Sequence, residues 1–99
     1  MDTVKIVFTE FGPDITMRFT GVSARGKIVD ALNDSKKVVF CFTGVETISE
    51  SFADECFAKL LTIFPLEFIK ENTSYEDANP FIKEVIKKAF VERIQGESE

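Results

Sequence analysis

The sequence predicts an α/β domain of order ββαβαβα, with a mixed, mainly parallel four-stranded sheet packed against three helices. Near the amino terminus, apolar residues alternate with polar ones, as along strands, whereas three later segments repeat apolar residues at helical spacing. The run at 38–42 is apolar on both faces, as in a central strand covered from both sides. Strands that alternate with helices imply right-handed crossovers and therefore a parallel core to the sheet.

Four segments are predicted as strands. Residues 3–9 and 15–20 alternate apolar and polar side chains, and the turn signal between them predicts an antiparallel hairpin. The apolar run at 38–42 is the third strand, and the short apolar segment at 66–70 is the fourth. The polar stretch at 72–79 is expected to be a loop.

Three helices are predicted between and after these strands. The first covers about 23–32, with the Ser23 hydroxyl as its N-cap, and the second covers about 52–63 along an apolar stripe. The third is expected to begin after Asn79, another N-cap, and to run to about Ile94.

The length and charge of the chain limit what it can be. A chain of 99 residues suits one domain, which we place at 1–95, followed by an acidic tail at 96–99. No uncharged apolar run approaches the roughly 20 residues of a membrane span, and the start carries no signal segment, so we expect a cytoplasmic protein without a membrane partner. The net charge of −5 argues against a nucleic-acid partner, because lysine and arginine are needed to neutralise phosphates.

The residue types argue against catalysis and predict no metal and no cofactor. Histidine, the commonest general base and metal ligand, is absent. Cys41 and Cys56 match no zinc or redox spacing and lie in apolar patterns, so we expect buried, reduced thiols. Asp54 and Glu55 diverge by about 100° on a helix, which makes them a poor acid–base pair. The chain is therefore predicted to bind and not to be an enzyme.

The most informative segment is the junction at 42–55, which joins the apolar strand to the second helix and places hydroxyls and carboxylates at the helix start. Ser51, with Asp54 three residues later, approximates a capping box, and Ser49 is a further candidate cap. Asp54 and Glu55 lie where the helix dipole favours negative charge. Plain helix capping is therefore one interpretation of these residues, and a binding surface is the other.

The junction also carries a family resemblance. Gly44-Val45, then Ile48, the run Ser-Glu-Ser-Phe-Ala-Asp-Glu at 49–55 and the continuation Phe-Ala-Lys-Leu-Leu at 57–61 resemble the bacterial STAS-like family of unassigned function. Members of that family show a similar strand, a Gly-Val loop and a serine cluster followed by Phe-Ala-Asp-Glu. The resemblance implies a STAS-like fold for most of the chain.

That family is in turn similar to the anti-sigma factor antagonists, whose strand–loop–helix junction carries Asp-Ser-Ser-Gly. There an ATP-dependent partner kinase phosphorylates the first serine, and phosphorylation switches binding off. In this chain Ser49 takes the position of the Asp, Glu50 that of the phosphorylated serine, and Ser51 that of the second serine. Because Glu50 has no hydroxyl, the resemblance implies a protein that is not switched there and is held in one state by permanent negative charge.

The resemblance therefore implies a non-enzymatic regulatory domain that docks a protein partner, such as a kinase-like ATPase or another regulator. The partner-binding residues expected on this basis all lie in the junction: Glu46, Ser49, Glu50, Ser51, Asp54 and Glu55. One alternative is a phage or mobile-element inhibitor, an acidic decoy for the nucleic-acid-binding site of a host protein. Another is a sensor of a small anionic ligand, bound by Arg18 and Arg25.

Overall fold

Three parallel strands form the sheet, in the order β1-β2-β3. The computed structural model describes residues 2–11 and 18–97, and within them the strands are β1 (Thr3–Val7), β2 (Lys37–Cys41) and β3 (Thr73–Glu76). β2 pairs with both neighbours, so that Phe40 lies opposite Ile6 on one side and opposite Tyr75 on the other. The prediction that the apolar run at 38–42 forms the central strand is therefore confirmed.

Within the same ranges, four α-helices and two short 3-10 segments connect and flank the strands. The α-helices are α1 (Arg18–Asn33), α2 (Glu50–Cys56), α3 (Leu66–Asn72) and α4 (Pro80–Glu97). The 3-10 segments are Phe8–Phe11, which follows β1, and Ala58–Thr62, which follows α2. α1 packs along α2, and α2 packs in turn on α4. None of the described helices has the length and apolar character needed to cross a lipid bilayer.

The sheet has one face on the core and one face that is more exposed. Val38 and Phe40 of β2 are buried with Ile6 of β1 against the helices. On the opposite face Lys5 and Lys37 are exposed. Consecutive right-handed crossovers in a sheet of this order lie on the same side, which explains why the helices collect on one face. On the more exposed face Val39 is half-buried and Cys41 is buried, so the expected cover of β2 is complete on the core face and partial on the other within the described residues.

Phenylalanine rings fill the core between the sheet and the helices. The Phe8 ring stacks on Phe42, with centroids 4.6 Å apart, and Phe57 lies edge-on to Phe40 at 5.0 Å. Phenylalanine has no polar atom that would need a partner, which suits it to this position. Cys56 is fully buried in the same core, Cys41 is also buried, and both thiols are free, as predicted.

The predicted second strand at 15–20 is wrong where the structure describes it, because residues 18–20 form the first turn of α1. The remainder of that strand and the predicted hairpin turn lie outside the described residues. Gly21, Ala24 and Ile28 are buried on one side of α1 at helical spacing, whereas Phe19, an apolar residue of the predicted strand, is 77% exposed. Ser23 is consequently an exposed residue inside the helix and not its N-cap.

The segment at 66–70, predicted as a strand, is a helix instead. Pro65, the residue before this helix, has an extended backbone with ψ of 151°. The Phe64 ring stacks on the Phe68 ring four residues later, with centroids 5.1 Å apart. The third strand, β3, lies at 73–76, within the stretch predicted to be a loop. An edge strand with one solvent-facing side needs few apolar residues, so its polar composition concealed it.

The boundaries of the two other helices also differ from the predictions. α2 ends at Cys56 and continues as the 3-10 segment, whereas one helix over 52–63 was expected. α4 begins as predicted: the Ile82 N–H donates to Asn79 Oδ1 at 2.8 Å, which makes Asn79 the N-cap. α4 then extends to Glu97, beyond the predicted end at Ile94.

Candidate partner-binding surface

The junction lies at the carboxyl edge of the parallel sheet, where open α/β sheets generally bind ligands. Gly44 has φ of +83°, a conformation that glycine adopts without steric cost, and it lets the chain turn after β2. The turn is closed by the Val45 N–H, which donates to the Phe42 carbonyl at 2.9 Å. The Thr43 hydroxyl donates to Asp77 Oδ2 at 2.6 Å, so the ends of β2 and β3 are held together.

Ser49 is the N-cap of α2. Its backbone is extended, with ψ of 161°, and its hydroxyl oxygen accepts a hydrogen bond from the Phe52 N–H at 3.0 Å. The capping interpretation is therefore confirmed for Ser49. Ser51 is not the cap: it lies in the first turn of α2 with an exposed side chain, and the predicted capping box with Asp54 does not form. The cap is two residues earlier than the sequence pattern indicated.

Glu50, the first residue of α2, presents its carboxylate to solvent. Its side chain is 73% exposed, and its Oε1 atom lies 3.0 Å from Nζ of Lys88 on α4. Lys88 also lies 3.8 Å from Glu92, so it stands between two carboxylates. The hydrogen bond that Lys88 donates to Glu50 raises the pKa of Lys88, and the attraction of the Glu50 charge adds to this effect.

Glu46 ties the junction to the start of α4. Its carbonyl accepts a hydrogen bond from Asn79 Nδ2 at 2.9 Å, while the other side-chain atom of Asn79 caps α4. The Glu46 side chain is exposed. Phe81, two residues after Asn79, is 57% exposed, although its hydrophobic side chain would ordinarily be buried. An aromatic ring therefore lies on the first turn of α4, which the junction loop contacts.

Glu55 faces the interior, unlike Glu50. Its side chain is only 5% exposed and binds three cations: Lys59 Nζ at 2.7 Å, Arg25 Nη1 at 3.1 Å, and Nη1 of Arg18. The hydrogen bond from Lys59 lowers the pKa of Glu55 most, burial opposes it, and the bonds from Arg18 and Arg25 lower it further, to about 2. Glu55 is therefore ionised at neutral pH and joins α1 to α2.

Asp54 is the second internal carboxylate, and it joins α2 to α4. Arg93 donates to Oδ1 from Nε at 3.2 Å and from Nη2 at 3.0 Å, and Nη2 also reaches Oδ2 at 3.1 Å. Arg18 lies 3.8 Å from the same carboxylate. Because Asp54 and Glu55 both use their charge inside the molecule, only the first half of the junction offers free negative charge to a partner.

The comparison with known proteins agrees with the resemblance noted in the sequence. The model of a family described as a STAS-like domain of unknown function (DUF4325) matches residues 9–83. The chain belongs to this family. The matched range of the STAS-like domain contains the whole junction and the first residues of α4. No curated protein and no solved structure matched the chain.

In this STAS-like domain, the two arginines predicted to bind a small anion already bind one that belongs to the chain. Arg25 donates to both the carboxylate and the main-chain carbonyl of Glu55, and Arg18 donates to the same carboxylate. Sequence reasoning missed this cluster because Glu55 is 30 and 37 residues from its arginine partners. The spacing of Glu55 to Lys59, four residues on a helix, was the one local signal.

The STAS-like domain offers little for a metal site or a nucleophile within the described residues. No group of three His, Cys, Asp or Glu side chains in the described part of the chain is arranged to hold a metal ion. Burial raises the pKa of Cys56 well above its ordinary value, so this thiol stays protonated. The Cys41 sulfur lies 3.3 Å from the Thr43 hydroxyl and 3.2 Å from a Glu76 oxygen.

Proposed function

We propose that this STAS-like domain is a non-catalytic regulatory module that binds a protein partner through its junction surface. The junction surface consists of the exposed residues Glu46, Thr47, Glu50 and Ser51, together with Phe81 of α4. One observation carries the proposal: the main chain of Glu46 is hydrogen-bonded to Asn79, just before the exposed Phe81, and the exposed Glu50 carboxylate lies against the same helix, α4, two turns later, 3.0 Å from Lys88. Charge and aromatic area in combination are typical of partner recognition.

The chemistry of the surface defines the partner that it suits. Glu46 and Glu50 favour a patch of lysine and arginine, because opposite charges steer two proteins together and fix their relative orientation. Phe81 supplies apolar area of the kind that acts as an anchor when it enters a pocket. The partner is therefore a protein with a basic rim around an apolar pocket, and a kinase-like ATPase or another regulator is the class that the family resemblance suggests.

Glu50 stands in the place of a regulatory phosphoserine in this proposal, with the opposite effect: here the negative charge favours binding, whereas phosphorylation switches binding off in the antagonists. It occupies the position at which the similar anti-sigma factor antagonists carry the phosphorylated serine, and its carboxylate faces solvent. A carboxylate carries one permanent negative charge, whereas a phosphate group adds about 1.5 to 2 and can be removed. The domain is accordingly held in one binding state, with regulation left to the partner or to the amount of protein.

The absence of catalysis is part of the proposal and is supported by the site residues. Asp54 and Glu55 are held in internal ion pairs, so neither carboxylate is free to exchange a proton with a substrate. Cys56 is buried with a raised pKa, which removes the more reactive thiolate form. The residues that remain exposed at the junction are suited to contact a partner.

The proposal is tested by quantitative affinity capture from the native host, read by mass spectrometry. Wild-type protein is compared with the Glu46→Gln/Glu50→Gln double variant and with a matched control, Glu67→Gln/Glu71→Gln, which removes two exposed carboxylates from α3. We expect one protein that wild type and control capture equally and that the junction variant loses by tenfold or more. Calorimetry with the purified partner then confirms direct binding.

Two outcomes contradict the proposal. Equal capture by all three proteins would leave the junction as a helix cap and connecting loop only. Competition by double-stranded DNA for the captured protein would assign the surface to the decoy function, because an acidic surface that occupies a nucleic-acid site must be displaced by nucleic acid.

A further inference from the structure

An apolar groove lies on the side of α4 that faces away from Glu50, between α3, β3 and the last turns of α4. It encloses about 410 Å³. Its apolar walls are formed by Leu66, Tyr75, Ile86, Phe90, Val91 and Ile94. Val91 and Ile94 are 41% and 39% exposed, because the apolar stripe of α4 extends beyond the core that it packs against. This volume falls in the range of sites that bind small molecules, about 300–1,000 Å³.

Three lysines line the same groove and give it a positive charge. Lys70, Lys83 and Lys87 are among the lining residues, and no acidic residue is. Within the described ranges none of the three forms an ion pair, whereas all three arginines do. Three other lysines form no ion pair either in the described part of the chain, so the groove is distinguished by three lysines that lie together with no carboxylate among its lining residues. The groove is therefore a positively charged apolar site on an acidic protein.

Tyr75 adds a hydrogen-bond donor to the groove. Its ring packs on Phe40 with centroids 5.5 Å apart, and its hydroxyl forms no hydrogen bond with any residue that the structure describes. Burial by the surrounding side chains raises the pKa of Tyr75 to about 12, so the hydroxyl keeps its proton at neutral pH. A few polar groups in a mostly apolar lining are what orient a ligand in such sites.

The dimensions of the groove distinguish between possible occupants. From Lys83 to Ile94 it follows α4 for about 16 Å, at about 1.5 Å per residue. This length suits an elongated ligand such as a hydrocarbon chain, and three lysines with no carboxylate among the lining residues disfavour a cationic one. A symmetric second copy is disfavoured as well, because it would bring the same lysines of two chains together.

From these observations we infer that the groove binds a small anionic amphiphile: a hydrocarbon chain of about a dozen carbon atoms that ends in a carboxylate. The chain lies along the apolar wall of α4, and the carboxylate is bound by the lysines and the Tyr75 hydroxyl. An extended chain of this kind matches the length of about 16 Å over which the groove follows α4. This site is separate from the junction surface, and either proposal can fail without the other.

The test is calorimetry of the full chain with dodecanoate below its micelle concentration. We expect one site per chain with a dissociation constant below about 0.1 mM. Dodecyltrimethylammonium, which has the same tail and the opposite charge, is expected to bind at least tenfold more weakly. Chemical-shift changes on dodecanoate addition are expected to centre on Phe90 and Ile94 and to spare Glu50.

Variants separate the roles of charge and of apolar area. Lys83→Gln/Lys87→Gln is expected to weaken dodecanoate binding tenfold or more, while Lys27→Gln, which removes a charge from α1, leaves it unchanged. Val91→Glu places a carboxylate in the groove at a partly exposed position and is expected to abolish binding, with a melting temperature close to that of wild type.

Four results would overturn the inference. They are absence of dodecanoate binding up to about 1 mM, equal affinity for the cationic amphiphile, unchanged affinity in the double lysine variant, and a wild-type dimer in sedimentation that Val91→Glu dissociates. The last result would mean that a second copy of the chain covers the groove.

Discussion

Glu50 and Glu55 are the same residue type on the same short helix, and the structure uses them in opposite ways. Glu50 is 73% exposed and has one cationic partner, Lys88, at 3.0 Å. Glu55 is 5% exposed and has three cationic partners, which lower its pKa to about 2. Five residues of α-helix correspond to a rotation of about 140° beyond one turn, so the two side chains leave α2 on different faces.

The difference shows which carboxylates a partner can use. Glu55 is surrounded by side chains from α1 and from the segment after α2, so its charge is already neutralised and contributes to the fold. Glu50 keeps most of its contact with water, so its pairing with Lys88 is easily exchanged for another cation. A buried carboxylate joins elements of the fold, and an exposed one is available for recognition.

The largest effect expected from this comparison is that of Glu55→Gln, which leaves Arg18, Arg25 and Lys59 without their anion. Removing one member of a buried ion pair typically costs about 3–5 kcal/mol. Arg18 and Lys59 are 55% and 35% exposed and can turn towards water, so we expect a loss of about 2 kcal/mol in the free energy of unfolding. Urea denaturation measures it, with Glu67→Gln on α3 as the control. A loss no greater than that of the control would mean that the cluster does not stabilise the fold.

The next largest effect is the pH dependence of the stability that Glu55 contributes. The folded-state pKa of Glu55, about 2, lies below its ordinary value of 4.5, so the unfolded chain takes up a proton first as the pH falls. The stability that Glu55 contributes is therefore complete above about pH 5 and is lost between about pH 4.5 and pH 2. We expect the gap in unfolding free energy between wild type and Glu55→Gln to narrow by more than half from about pH 7 to about pH 3. A constant gap would contradict the assigned pKa shift.

The sequence was sufficient to predict an element of the fold where an apolar pattern was long or where a local interaction decided the structure. The five apolar residues at 38–42 predicted the central strand, and Asn79 before Pro80 predicted the start of α4 through a single hydrogen bond. The exposed position of Glu50 just after the cap of α2 also follows from local spacing. In each case neighbours in the chain supply the relevant contacts.

The sequence was insufficient where the deciding partner is distant in the chain. Five residues at 66–70 fit a strand and a helix equally well, and they form a helix whose Ile69 is buried in the core shared with β2 and α4. β3 carries one aromatic residue and is a strand because β2 lies beside it. The Glu55 cluster needs Arg18 and Arg25 from another helix, and no periodicity reports such a contact.

Two glycines of α1 offer a sharper test of the contact beneath Glu55, with a smaller expected effect. A Cβ atom at Gly21 would lie 2.9 Å from the Glu55 Cβ and 3.1 Å from the Phe52 carbonyl oxygen, whereas one at Gly26 would meet nothing within 4 Å. We expect Gly21→Ala to destabilise the fold by about 1–2 kcal/mol, because α1 and α2 must move apart. Gly26→Ala is expected to stabilise it by about 0.5–1 kcal/mol through helix propensity.

The two variants are informative together because both replace glycine by alanine in α1. Only the surroundings of the added Cβ atom differ: α2 at Gly21 and open space at Gly26. Thermal and urea unfolding of both variants gives the sign of each change. If Gly21→Ala stabilised the protein as Gly26→Ala does, the close approach of α1 to α2 would be wrong, and with it the burial of Glu55.

The smallest expected effect on stability is that of Glu50→Gln, and this variant separates a role in recognition from a role in folding. Because the carboxylate and Lys88 are both exposed, Glu50→Gln is expected to leave the melting temperature within about 2 °C of wild type. The same variant is expected to weaken partner binding by tenfold or more in calorimetry, since the proposed partner reads this charge. Glu50→Ser keeps the position but replaces the charge by a hydroxyl, and it should bind as weakly as Glu50→Gln. A variant that melts much earlier yet binds normally would show that Glu50 serves the helix and not the partner.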